Sequence, residues 1–209
     1  MSIEEKIKEA RERSKPRKFA QSWDLIFALK NIDLKKPENR LNLELLLPEG
    51  IGKELKTVVI ADSLYADAKK YADLVITREE IPKIGRDKKK LKRLANDYDW
   101  WFGEAPLMPM IGKAFGATLG TRGKMPKPVP PKINMQGILA RAKKSVKIRL
   151  VNTPVIQIAV GKETMPDEKA IKNIEAALSF VQEHLPKGKN NIRSISLKLT
   201  MGKPVKLDV

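Results

Sequence analysis

A chain of 209 residues with 42 Lys and Arg against 25 Asp and Glu carries a formal net charge of +17, which makes a polyanion the first partner to consider. Nucleic acid and an anionic membrane both qualify. Having no cysteine excludes a disulfide framework, a thiol nucleophile and a cysteine-based zinc site, and one histidine leaves acid and base chemistry thinly supplied. No run of about 18 apolar residues exists, and the N-terminus MSIEEKIKEARERSKPRK is charged and amphipathic without the apolar stretch of a signal peptide. The expectation is a soluble cytoplasmic protein with no membrane association. Hydrophobic residues, 42% of the chain, fall in periodic segments, so the chain should fold despite a charged fraction of 32%. The mix of Lys, Arg and Glu fits a thermophilic source and equally a basic RNA-binding protein.

Helical spacing of Ile3, Ile7 and Ala10 predicts a helix from Ser2 to Arg13, capped by Ser2 and closed by Pro16. FAQSWDLIFALK and RLNLELLLP then read as paired strands joined through a turn at Pro37 to Asn39. From Thr57 the rhythm changes. VVIADS is a short buried strand, LYADAKKYA a helix and DLVIT a strand. EEIPKIGRDKKKLKRLANDY is one helical stretch, and DWWFGE is again a strand. Helices follow in APLMPMIGKAFGATLG and QGILARAKK. Between them lies GTRGKMPKPVPP, whose two glycines and four prolines read as an irregular cationic connection. VKIRLV and VIQIAVGK alternate as antiparallel strands, MPDEKAIKNIEAALSFVQEHL is a long amphipathic helix, and IRSISLKLTM and PVKLDV close the chain as strands.

An α+β pattern at both ends encloses an alternating α/β block. The simplest architecture is a discontinuous antiparallel α+β domain of residues 1–56 and 151–209, carrying an inserted Rossmann-like domain over 57–150. Two chain crossings between them make a natural hinge.

Candidate chemistry is sparse. His184 sits near a helix end, where a cation suits the dipole, and Asp97 and Asp99 suit turns and caps. No second histidine or carboxylate cluster offers metal-ligand spacing, so no metal and no cofactor are expected. VVIADSLYAD lacks the glycine fingerprint of a dinucleotide site, and Gly116 to Lys124 is not a phosphate loop, which leaves a nucleotide-dependent α/β enzyme weakly supported. RDKKKLKR, from Arg86 to Arg93, reads either as a solvated helix face or as a phosphate contact. Trp100 and Trp101 suit base stacking, but their strand-like setting points at least one of them into the core. In SLKLTMGKP and just ahead of it, Ser194, Ser196, Thr200, Met201, Gly202 and Lys203 gather hydroxyls, backbone and a cation near one edge. That group suits either ribose and phosphate contacts or an ordinary hairpin turn.

Two separated motifs resemble one family. LGTRGKMPKPVP at 119–130 resembles the signature of the large-subunit ribosomal protein one family, the protein of the mobile exit-side stalk, and KLTMGKPVK at 198–206 resembles its C-terminal motif. KPRKFAQSWDL, followed by PENRLNLELLLP, is similar to the family's archaeal branch. Thr121 departs from the signature, where many members carry proline. The resemblance implies a non-catalytic protein, monomeric when free. It implies binding to large-subunit ribosomal RNA, help in releasing deacylated transfer RNA from the exit site, and frequent repression of the protein's own messenger RNA. It places the main RNA surface on Lys18, Phe19, Ser22, Lys162, Ser194, Thr200, Met201 and Gly202, with Asp24 as a further contact. Arg122, Lys124 and Lys127 are left for a secondary RNA contact or the domain interface. A ribosome-assembly factor of the same fold is a related alternative, disfavoured where the chain ends at LDV without a long charged extension.

Over these boundaries the inserted block carries 20 basic and 9 acidic residues, and the terminal segments 22 and 16. The implied RNA surface thus falls on the less basic part.

Overall fold

A computed structural model of the chain describes residues 3–131 and 133–207, so Ser2, expected as a helix cap, lies outside the described residues. In chain order the elements are α1 (Ile3–Glu12), β1 (Ser22–Leu29), β2 (Leu41–Leu46), β3 (Thr57–Ile60), α2 (Tyr65–Tyr71), β4 (Leu74–Ile76) and α3 (Glu80–Arg86). There follow α4 (Lys88–Asp97), β5 (Trp100–Glu104), α5 (Met108–Thr121), β6 (Lys127–Val129), α6 (Met135–Lys143), β7 (Ser145–Leu150), β8 (Val155–Lys162), α7 (Asp167–His184), β9 (Ile192–Leu199) and β10 (Val205–Leu207). The fold is mixed α/β. It divides into a first unit of residues 1–53 and 144–209 and a second of residues 54–143.

In the first unit, the period-two alternation of β1 buries Trp23, Leu25, Phe27 and Leu29 and leaves Ser22, Asp24, Ile26 and Ala28 half-exposed. β1 lies between β8 and β9 in an antiparallel sheet of order β10-β9-β1-β8. Its apolar face meets Ile7 and Ala10 of α1 and Ile174, Ala177 and Val181 of α7. Each fully buried Leu, Ile or Phe there contributes roughly 1.5–3 kcal/mol. Asn173, a fully buried polar residue of α7, donates to the carbonyls of Gly50 (2.7 Å) and Val160 (2.8 Å) and accepts from the amide of Glu49 (3.1 Å). It pins the helix to β8 and to the loop after β2.

β2 was expected to pair with β1, but it pairs with β7 in a separate two-stranded sheet. The segment from Lys30 to Arg40 contains Asn31 at φ 57 and a 3-10 turn at Pro37–Asn39, so it is no tight hairpin loop that forces neighbours together. The same pairing places β7 in the first unit, so the second crossing falls between Lys143 and Ser145 and not after Leu150. With these limits the first unit carries 24 basic and 15 acidic residues and the second 18 and 10. Net charges of +9 and +8 remove the imbalance drawn from the sequence boundaries.

In the second unit, a parallel sheet of order β4-β3-β5-β6 surrounds a core with Val58, Ile60, Trp101, Ile111 and Phe115. Trp100 and Trp101 are both buried, which leaves neither for base stacking. The long helix expected over 79–98 is two helices. Asp87 leaves helical geometry (φ −88, ψ 84), and its carboxylate accepts from the amides of Lys89 and Lys90, each at 3.0 Å, so it caps α4.

GTRGKMPKPVPP is more regular than its composition suggests. α5 runs through Thr121 and ends in a Schellman turn: the Lys124 amide bonds the Leu119 carbonyl (2.9 Å), and the Gly123 amide bonds that of Gly120 (3.0 Å). Gly123 supplies the positive φ of 65 that this turn requires. Lys127–Val129 then forms β6, where Pro128 is tolerated because β6 is an edge strand.

Candidate nucleic-acid interface

β1 is antiparallel to both neighbours, with Ser22 opposite Lys162 and Trp23 opposite Leu199. The start of β1, the end of β8 and the turn after β9 therefore meet at one rim of the first unit. A register shift between Trp23 and Asp24 bends β1 at this point.

Gln21 organises the rim. Its side chain is fully buried, and both polar ends are used: Oε1 accepts from the Met201 amide (3.0 Å), and Nε2 donates to Ser14 Oγ (3.1 Å). Its amide donates to a carboxylate oxygen of Glu163 (3.2 Å), and its carbonyl accepts from the Glu163 amide (2.8 Å). Beside it, Thr200 Oγ1 accepts from the Ser22 amide (3.0 Å), and the Thr200 amide donates to the Ser22 carbonyl (3.1 Å). Lys162 Nζ donates to the Ala20 carbonyl (3.3 Å). Ser14 lies so close to Gly202 that a Cβ there would stand 3.1 Å from Ser14 Cβ and 3.2 Å from its Oγ.

This scaffold holds two large apolar side chains in solvent, Phe19 at 54% and Met201 at 56% exposure. Exposed Lys18 and half-buried Lys162 lie on the same rim. Asp24 sits on the open face of the sheet opposite Lys198. Partial burial raises its pKa from the ordinary Asp value, and the charges of Lys198 and Lys162 offset part of that shift.

Lys18, Phe19, Ser22, Lys162, Thr200, Met201 and Gly202 are thus brought together, with Asp24 one step in from the edge. Ser194 is not at the rim. It pairs with Ala28 near the other end of β1, six residues from Thr200, or about 20 Å at the rise of a strand. It shares the open face with Ser196, Asp24 and Ile26. Gln21, Ser14 and Glu163 were missed as site residues. Gln21 does stand in the KPRKFAQSWDL motif, and a polar residue just ahead of a buried alternating strand is the one local sign of its role.

Arg122, Lys124 and Lys127 lie in the second unit. Arg122 Nη1 donates to the Lys92 carbonyl (3.0 Å) and Asn96 Oδ1 (2.5 Å), and Lys124 Nζ to the carbonyls of Ala95 (2.9 Å) and Tyr98 (2.8 Å). Lys124 thereby serves carbonyls at the end of α4, where positive charge complements the helix dipole, and Arg122 a carbonyl in its middle and the Asn96 side chain. Lys127 Nζ stands 4.8 Å from the ring centroid of Trp100.

At the carboxyl ends of β3 and β5, where a nucleotide site of a parallel sheet belongs, a cavity of about 280 Å³ is lined by Asp62, Ser63, Arg78 and Glu104. The amides of Asp62 (2.8 Å) and Ser63 (3.1 Å) point at the Glu104 carboxylate, and the Ser63 hydroxyl bonds it as well. Burial alone raises the Glu104 pKa, but these hydrogen bonds outweigh it and hold the carboxyl below its ordinary value. The loop's donors are therefore satisfied by a carboxylate of the chain. Among the described residues, no group of three or more His, Cys, Asp or Glu could hold a metal ion, and no helix is long and apolar enough to cross a membrane.

The sequence pattern of the family described as "Ribosomal protein L1p/L10e family" matches residues 8–203. The chain is 45% identical over 207 residues to large ribosomal subunit protein uL1 of Methanothermobacter thermautotrophicus, covering 98% of each chain. It is 46% identical over 202 residues to that of Methanocaldococcus jannaschii, covering 96% of this chain and 92% of that protein. For the Pyrococcus horikoshii protein the identity is 45% over 208 residues, covering 99% of this chain and 95% of that protein. Matches of this extent reach both units and every residue of the rim, and on that ground the chain belongs to the Ribosomal protein L1p/L10e family.

Proposed function

We propose that this chain is a structural, non-enzymatic constituent of the large ribosomal subunit, and that the rim of its first unit binds folded ribosomal RNA by shape and backbone. The observation that carries the reading is the pair of exposed apolar side chains, Phe19 and Met201, held beside backbone amides and lysines by a buried polar network. A flat apolar side chain packs on a sugar or base while neighbouring cations and hydroxyls meet phosphate and ribose. The uL1 proteins it resembles are named as large-subunit ribosomal proteins, which agrees.

Three finer readings extend this one. The second unit is a Rossmann-like insertion, supported by its parallel strand order and by the two crossings that join it to the first. Those crossings act as the hinge by which a ribosome-bound protein follows stalk movement and helps release deacylated transfer RNA from the exit site. The same rim represses translation of the chain's own messenger RNA, through an RNA structure that imitates the ribosomal one.

A filter-binding titration of the whole chain against the stalk fragment of large-subunit RNA, repeated at several salt concentrations, tests the proposal. It predicts saturable binding that weakens linearly in log–log form as salt rises. Absence of saturation, or indifference to salt, refutes it.

A further inference from the structure

We infer that the solvent face of α4 is a second RNA-backbone surface, built by Lys88, Lys89, Lys90, Lys92 and Arg93 and independent of the rim. All five side chains are exposed, and among the described residues none of them makes a hydrogen bond or ion pair. Some cations elsewhere are paired, Lys6 and Arg13 with Glu9, Arg11 with Asp167, Lys143 with Asp73 and Lys169 with Glu49; what sets α4 apart is that five cations fall within six consecutive residues. On α4 the first acidic residue is Asp97 at its end, and the Asp87 carboxylate is already engaged as the cap.

The arrangement works against the helix itself. Three lysines occupy the first turn, the positive end of the helix dipole. Lys88 and Lys92, Lys89 and Arg93, Lys89 and Lys92, and Lys90 and Arg93 are like-charge neighbours at helical spacing, each pair destabilising. The Asp87 cap offsets part of this at the first turn, and no ion pair among the described residues offsets the rest, whereas an external polyanion relieves all of these repulsions together. At about 1.5 Å per residue the five cations span about 8 Å of helix axis, inside one Debye length of about 10 Å at 0.1 M salt, so they act on a polyanion as one patch.

The surface fits RNA better than a membrane. A helix that lies on a bilayer needs an apolar face to insert, but α4 turns Leu91 and Ala95 into the core. What remains outward is charge, suited to successive phosphates. The bond from Arg122 to the Lys92 carbonyl and Asn96 holds the end of α4 in place.

The test uses the whole chain and a 16-base-pair RNA duplex of arbitrary sequence, which presents phosphates without the folded target of the rim. The variant K88Q/K89Q/K90Q/K92Q/R93Q is compared with an equal-charge control, K35Q/K36Q/K172Q/K187Q/K189Q. The α4 variant is expected to lose about tenfold in duplex affinity at 0.1 M salt and to lower the salt slope by about two, with the control within about twofold of the parent. A milder variant, K89Q/R93Q, with an expected loss of about threefold, covers the case in which the fivefold variant does not fold. Equal effects of the α4 and control variants overturn the inference. So does an α4 variant that loses binding to phosphatidylserine vesicles while keeping duplex affinity. The rim variant F19A/M201A is expected to keep duplex affinity, so failure of the rim reading and failure of this one are told apart.

Discussion

Gln21 Oε1 accepts the backbone amide of Met201 at 3.0 Å, joining two residues separated by 180 positions. The bond sets the turn after β9 against the entry to β1. Through Nε2 the same side chain holds Ser14 at the end of the first helical segment. Replacing Gln21 by Leu leaves the Met201 amide and the Ser14 hydroxyl without this partner in a part-buried place. The expected cost is about 1–3 kcal/mol of stability, together with a drop in affinity for the stalk RNA. Thermal unfolding and filter binding check it, and S14A, which removes a single bond, should lose less of both.

Gly202 lies in a gap closed by Ser14. The variant G202A places a methyl group 3.1 Å from Ser14 Cβ and should displace the turn that presents Met201. Adding S14G opens the space. The double variant should therefore lose less RNA affinity than the two single losses added together, a non-additivity that a double-mutant cycle measures.

Carboxylates in the two units respond to pH with opposite sign. The pKa values of Glu104 and Asp73 are held low, by hydrogen bonds from the Ser63 hydroxyl and loop amides and from Thr57 respectively, against the burial that raises them. A depressed folded pKa gives stability that is present above the unfolded value, about 4, and lost as pH falls through the folded one. E104Q should therefore destabilise the protein at neutral pH and flatten its acid-side loss. Burial raises the pKa of Asp24, so its ionised form costs stability that is recovered on acidification. D24N should raise the melting temperature at neutral pH, with the gain vanishing below about pH 4.

Neutralising α4 should stabilise the chain. Each like-charge pair at helical spacing costs about 0.2–0.5 kcal/mol, so K89Q/R93Q, which touches three such pairs, should raise the melting temperature at low salt. The rise should shrink in high salt.

Period-two alternation in SWDLIFAL and VIQIAVGK, and the helical stripe through Ile174, Leu178 and Val181, were legible because burial of one face imposes those spacings. The partners of β1 were not. Adjacent segments were paired by proximity in sequence, whereas β8 and β9 flank it from beyond the second unit. GTRGKMPKPVPP misled by its prolines, which break central strands but are admitted at a sheet edge. Of the rim, the motifs displayed the exposed members. Its support through Gln21 and Glu163 arises only when ends 140 to 180 residues apart meet. The same holds for the bonds from Arg122 and Lys124 to the carbonyls of Lys92 and Ala95, which join residues 30 and 29 positions apart.

The most direct test of the central claim is the affinity of the F19A/M201A variant for the stalk RNA fragment at fixed salt. Both side chains are more than half exposed, so their removal should leave the melting temperature unchanged. Each contact with a base or sugar is expected to be worth about 1–3 kcal/mol, so the rim account predicts a combined loss of about thirtyfold or more. An affinity within about twofold of the parent, with the fold intact, contradicts it.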